Sequence, residues 1–238
     1  MIASNSKPAL IFDIGMSEGN DSAYYLAKGF NVVGVEADPV AYASLIERFQ
    51  PELHDGSIVI INKAASDVSG AHISFLHNSI QQGISGTTRH PHVPDGYEEH
   101  IVETIRFNDI LDIYGTPYYC KIDIEGNEKF FLKDLIGSSR VPTYISVECH
   151  EIDPVTMLYA AGYRRFKLID QVPPGGFQNP SPAREGRFVE NPNWNHASGP
   201  FGKELPGDTW LNFEEFIVAH RESQTERYRT WFDCHATL

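Results

Sequence analysis

Residues 9–36 read ALIFDIGMSEGNDSAYYLAKGFNVVGVE. An apolar run from Ala9 to Ile14 carries Asp13 near its end and stops at the turn Gly15-Met-Ser-Glu-Gly19. A helical spacing of apolar residues follows (Ala23, Tyr24, Leu26, Ala27), closed by Gly29, and a second apolar run, Val32 to Val35, ends in Glu36. Strand, glycine turn, helix, strand and acid make half of a nucleotide-binding α/β unit. Gly15 and Gly19 let the backbone approach a ligand without a Cβ in the way. Glu36 is placed to accept hydrogen bonds from a ribose diol, and Asp13 to support the turn or a cofactor amino group. Ser17 and Asn20 in the turn and Ala37 beside Glu36 complete the candidate cofactor contacts.

A dinucleotide fingerprint asks for Gly-x-Gly-x-x-Gly, and Ser17 stands where its second glycine belongs. A pyrophosphate also seeks free helix N-terminal amides, whereas Glu18 and Asp21 flank this turn. Those acids suit a cofactor bearing an amino acid and a sulfonium, S-adenosylmethionine. The bland alternative is a tight α/β turn that holds no cofactor.

Outward from this unit the alternation continues. Asp38-Pro39 opens a helix that Pro51 is expected to end, and Ser57–Ile61 reads as a third strand leading to Asn62-Lys-Ala-Ala65. Residues 77–100 lack a sustained period and read as a long surface loop. Strands are expected at Ile101–Phe107, at Tyr118–Ile124 ending in Asp123-Ile-Glu125-Gly126, at Val141–Val147 ending in Glu148-Cys-His150, and at Arg165–Ile169. Helices are expected from Asn108, over Asn127–Ile136 and over Pro154–Ala161. This is a mostly parallel sheet flanked by helices. From 172 to 207 seven prolines and six glycines surround Trp194, His196 and Phe201, which reads as an irregular, ordered flap at the ligand edge. A final helix, Phe213–Arg227, and a tail, Trp231–Leu238, complete one domain with its core at about 9–170.

The formal net charge is −13, which on its own argues against nucleic acid or an anionic membrane as partner and leaves a small-molecule acceptor, with a homodimer left open. The three cysteines, Cys120, Cys149 and Cys234, are widely spaced and odd in number, as expected of buried thiols in a reducing compartment. The N-terminus lacks a signal-peptide layout and no apolar run approaches the about 20 residues of a membrane helix, so a cytoplasmic protein is expected.

Three stretches together resemble the FkbM family of S-adenosylmethionine-dependent methyltransferases: Phe12–Asn20 with Glu36, Asn62-Lys-Ala-Ala65, and Lys121-Ile-Asp-Ile-Glu-Gly-Asn-Glu128 followed by Ser146-Val-Glu-Cys-His150. The resemblance spans about residues 9–170. It departs at Met16-Ser17-Glu18, where the family often has Ala-Asn-x. It implies a Rossmann-like class I methyltransferase fold, seven-stranded with the last strand antiparallel, and O-methylation of a sugar or natural-product hydroxyl.

Methyl transfer to an alcohol needs the oxygen held behind the methyl group and its proton removed. Asp123 and Glu125 stand two apart, as do Glu148 and His150, so each pair can share a strand face. If the two strands are neighbours, His150, Asp123 and Glu148 become catalytic candidates, Asp123 doubling as a cofactor contact. Asp123, Glu125 and Glu148 would then suit Mg²⁺ or Mn²⁺. Otherwise Glu125 packs into the next helix N-terminus and His150 satisfies backbone groups. Ala64 and Ala65 would border an adenine. His77, His90, His92 and His100 read as solvated loop residues, and Tyr24 and Tyr25 as core and rim. Competing readings are methyl transfer to another hydroxylated natural product or to nitrogen, a non-catalytic nucleotide-fold binding protein, and an oxidoreductase, which Ser17 disfavours.

Overall fold

Leu10–Ile14 forms strand β1, buried over its last four residues. The computed structural model describes residues 9–81, 85–89, 92–93, 95–171, 179–190, 192, 199–224 and 232–238. Helix α1 (Asn20–Ala27) follows the glycine turn, with Gly19 at its N-cap in the left-handed region. Strand β2 (Asn31–Val35) then pairs with β1 in parallel. Helix α2 (Pro39–Arg48) begins as expected: the Asp38 carboxylate accepts from Val40 N and Pro39 occupies the first turn. Pro51 does not end a helix here. It sits in the first turn of a second short helix, α3 (Gln50–Asp55), where its missing N–H would have had no partner anyway. Strand β3 (Ile58–Ile61) pairs with β2.

The two ends of the stretch read as a loop over 77–100, residues 77–78 and 97–100, belong to the strands of a hairpin. Strand β4 (Ala64–Ala65) is followed by β5 (His72–Asn78) and β6 (Tyr97–Ile105). The last two pair antiparallel from His72↔Glu103 to Asn78↔Tyr97, and β4 lies parallel to β6 as a separate small sheet. Helix α4 (Phe107–Tyr114), strand β7 (Tyr119–Ile122), helix α5 (Glu128–Leu135), strand β8 (Tyr144–Glu148), helix α6 (Asp153–Ala160) and strand β9 (Arg165–Asp170) resume the alternation. Helix α7 (Phe213–Ser223) starts on a reciprocal cap between Asn212 and Glu215. Residues 232–238 are no tail: Phe232–Thr237 is β10, inserted antiparallel between β8 and β9. The sheet order is β3-β2-β1-β7-β8-β10-β9, a mostly parallel seven-stranded sheet flanked by helices.

Strand alternation divides the core between the two faces. On one, Phe12, Ile14, Cys120, Ile122, Ile145 and Val147 pack with Phe107, Phe131, Leu132, Leu158 and Phe216 of the helices. On the other, Ile11, Val32 and Tyr119 pack with Tyr25, Leu45, Phe49 and Phe201. All three cysteines are buried free thiols. The described part of the 172–207 segment lies away from the expected ligand edge. Arg187 N donates to Lys28 O at the end of α1, and Tyr118 at the start of β7 donates to Glu185. Trp194, His196, Arg227 and Trp231 lie outside the described residues, as does His90. Among the described residues no helix is long and apolar enough to cross a membrane.

Candidate active site

The chain leaves β1 through alternating left-handed residues, Gly15 (φ 86°), Ser17 (φ 51°) and Gly19 (φ 77°). A side chain at Gly15 would collide with the Asp123 backbone carbonyl, so only glycine lets β1 and β7 end side by side there. Met16 is buried against Gly34 of β2, which has no Cβ to obstruct it. The turn is tied down by Glu36: Ser17 N donates to Oε2 and Asp38 N to Oε1, each at 2.8 Å. Burial raises the Glu36 carboxyl to about 7, the two N–H donors pulling the other way. Asn62 Nδ2 donates to Glu36 O at 2.8 Å, bringing the Asn62–Ala65 stretch beside it.

These elements enclose a cavity of about 570 Å³ at the carboxyl ends of β1, β2 and β7, where open α/β sheets place ligands. Gly15, Ser17, Asn20, Glu36, Ala37, Ala64, Ala65 and Asp123 all line it. So do Phe75 of the hairpin and Ser79, Ile80, Gly86 and Thr87 of the stretch read from the sequence as a long surface loop. Asp13 and Gly19 stand behind the wall. Asp13 Oδ2 accepts from Ser22 Oγ at 2.6 Å, while Oδ1 is buried without a hydrogen-bond partner. Burial pushes the Asp13 carboxyl up to about 7 against the attraction of Lys121.

His77 is not solvated. Its Nδ1 lies 2.6 Å from Asp38 Oδ2, both side chains nearly buried, and its ring meets His100 edge to face. Sequence spacing held no signal for this contact, because His77 lies on β5 and Asp38 at the N-cap of α2, 39 residues apart.

Lys121 organises the acidic side. Its Nζ reaches Asp21 Oδ2 at 2.7 Å and Asp123 Oδ2 at 3.3 Å. Asp123 is nonetheless raised by burial, with Lys121 opposing and Glu148 adding to the shift. Asp233 on β10 stands opposite Glu148 in register. Burial pushes its carboxyl well above the ordinary range, reinforced by Asp123. It was invisible in the sequence because only the antiparallel insertion of β10 brings it here. Glu125, at φ 55°, lines the cavity. Desolvation and the charges of Glu148 and Asp123 push it up to about 8. Glu128 Oε1 secures this bend by accepting from Ile124 N (3.2 Å) and Gly126 N (3.1 Å).

β7 and β8 are parallel neighbours, as the acid-pair reading required. The expected metal site does not form from them: among the described residues no three His, Cys, Asp or Glu side chains are grouped to hold an ion. Lys121 engages Asp123, and His150 Nε2 lies 2.9 Å from Glu148 Oε1, so cations of the chain take the place assigned to a metal. That contact pushes the His150 imidazole up to about 9, so it carries a proton at neutral pH and is no ready base. Neither Glu148 nor His150 lines the cavity.

Residues 13–164 match the methyltransferase FkbM domain. The chain belongs to the FkbM methyltransferase family. It is accordingly an S-adenosylmethionine-dependent methyltransferase with the class I architecture. No curated protein matches the sequence. Among solved structures, the FkbM chain resembles a methyltransferase FkbM from Methylobacillus flagellatus KT at 16% identity and TM-score 0.43, covering 78% of this chain and 44% of that one. It also resembles a precorrin-6Y C5,15-methyltransferase from Geobacter metallireducens GS-15 at 9% identity and TM-score 0.42, covering 98% and 82%. An rRNA methylase from Streptococcus thermophilus matches at 9% identity and TM-score 0.40, covering 98% and 89%. None of these likenesses transfers an acceptor to the FkbM chain. They do correct one expectation. With an rRNA methylase among the matches, the exclusion of nucleic acid drawn from net charge is withdrawn, since net charge does not set the potential of a local cleft.

Proposed function

We propose that this FkbM methyltransferase moves the methyl group of S-adenosylmethionine to a hydroxyl on a sugar or other polyol. The observation that carries the reading is the cavity itself, which runs from Glu36 after β2 to Asp123 and Glu125 after β7. Two features fit the cofactor to these residues. Each Glu36 oxygen takes only one backbone N–H, leaving lone pairs for a ribose diol. Asp13 keeps a buried oxygen unpartnered beside an acidic wall suited to a cation. Ala37, Ala64 and Ala65 leave room for a flat ring. When bound, the cofactor supplies an electrophilic methyl group on a cationic sulfonium.

The residues of the chain do the rest by position and charge. The glycine turn and Glu36 fix the ribose end, and the hairpin residues Phe75 and Ile80 narrow access of water from one side. An alcohol gives up its proton reluctantly, and a carboxylate of raised proton affinity can receive it. Glu36, Asp123 and Glu125 all line the cavity with raised carboxyls; Glu125, at about 8, becomes able to receive the proton as pH rises through that value. No step is assigned to a metal, because the described carboxylates do not gather around one point.

The test is incubation with methyl-labelled S-adenosylmethionine and separate panels of sugars and polyols, hydroxylated natural products, amines and structured RNA. The expected product is a labelled methyl ether of a polyol. Label found only on an amine or on RNA would replace the hydroxyl reading.

A further inference from the structure

Asp21 on α1 and Asp123 and Glu125 after β7 line the acidic side of the cavity, and Asp13 on β1, Glu148 on β8 and Asp233 on β10 lie outside its lining. Lys121 pairs with Asp21 and Asp123, and His150 with Glu148. Glu125 differs from these. It accepts no hydrogen bond among the described residues and faces the cavity. Its backbone is held at φ 55°, a conformation that residues bearing a β-carbon rarely adopt. The structure maintains that bend through Glu128. Asp13, 1% exposed, likewise keeps one oxygen unpartnered. Like charges along one side of a cavity repel, and a cation entering it relieves the repulsion.

We propose that the cavity selects its cofactor by charge: Glu125 favours the cationic, methyl-bearing form and releases the neutral thioether that remains after transfer. The inference rests on the methyl-donor reading above. Donor and product share the adenosine and the amino-acid end, so those parts cannot distinguish them. They differ in the sulfonium charge and the methyl group. A carboxylate at the wall of a cavity acts on that charge more strongly than one in bulk water. The Glu128 contacts hold the backbone of the bend, so the residue that carries the carboxylate is already in place before binding.

Titration calorimetry at pH 8.5 with S-adenosylmethionine, S-adenosylhomocysteine and sinefungin, whose protonated amine stands where the sulfonium does, tests this directly. The wild type should bind both cationic ligands at least about tenfold more tightly than S-adenosylhomocysteine. Glu125→Gln should shrink that preference by about fivefold or more while leaving S-adenosylhomocysteine within about twofold. Glu125→Asn, whose residue type tolerates a positive φ, should do the same if the glutamine variant folds poorly. Asp112→Asn, which removes a surface charge, should leave the preference intact. Equal affinity of the wild type for all three ligands would overturn charge selection while keeping the methyl-donor reading. So would a Glu125 variant that weakens all three alike. If none of the three binds the wild type, the methyl-donor reading fails and this inference with it.

Discussion

Glu36 shows how one residue serves both fold and ligand. Its two oxygens hold the Ser17 and Asp38 amides, so the carboxylate shapes the turn before any ribose arrives. Glutamine has one acceptor oxygen and no charge. Glu36→Gln should therefore weaken S-adenosylmethionine binding by about 1.5–3 kcal/mol by calorimetry. A folded variant with unchanged affinity would remove Glu36 from the ribose site. The same residue has a pH signature. Its carboxyl titrates at about 7 when folded against an ordinary 4.5, so between those values the folded state holds more protons than the unfolded one. Stability from this group is full below about 4.5 and falls as pH rises through 7. Glutamine cannot ionise, so the variant should gain on the wild type between pH 5 and pH 8 in urea unfolding. A constant difference across that range would contradict the raised carboxyl.

At the scale of elements, the β5–β6 hairpin forms one wall of the cavity and Asp38 joins it to the main sheet. One Asp38 oxygen caps α2 at Val40 N (2.9 Å), and the other meets His77 on β5 (2.6 Å). Asp38→Ala should lose about 1 kcal/mol for the cap and about 1–3 kcal/mol for stranding a buried histidine. Hydrogen exchange should then speed up in both α2 and the hairpin. His77→Ala should loosen the hairpin alone, because the cap persists. Protection of the hairpin unchanged in both variants would show that its packing, through Phe75 and Val102, suffices without the pair.

For the whole molecule, the described residues between 179 and 204 pack around the end of α1 and the start of β7, away from the cavity. Lys28 at the end of α1 meets Glu204 at 2.7 Å with neither side chain exposed, and Phe201 is fully buried against Tyr25, Tyr119 and Phe30. A buried charge left alone is costly. Lys28→Met should destabilise the protein by about 3–5 kcal/mol in urea unfolding, and Lys28→Met with Glu204→Leu should recover much of the loss. If the double variant is no better than the single, the pair contributes through packing instead of charge.

The sequence by itself determined the first β-α-β unit, its glycine turn and Glu36. It also marked the acids after β7 and β8, through motifs spanning a few residues each. These were legible because hydrophobic period, capping and turn chemistry act between near neighbours. The hairpin that frames 77–100, the second helix that carries Pro51 in its first turn and the burial of His77 were decided only by the tertiary structure. So were the insertion of β10, which brings Asp233 opposite Glu148, and the position of the later segment away from the cavity. The acids show the limit most plainly. Spacing put Asp123 with Glu125 and Glu148 with His150 at two strand ends, but strand order made those ends neighbours and side-chain reach gave Lys121 to Asp123 and His150 to Glu148. A carboxylate's partner is set by distances of a few ångströms between segments far apart in the chain, and no local pattern encodes those distances.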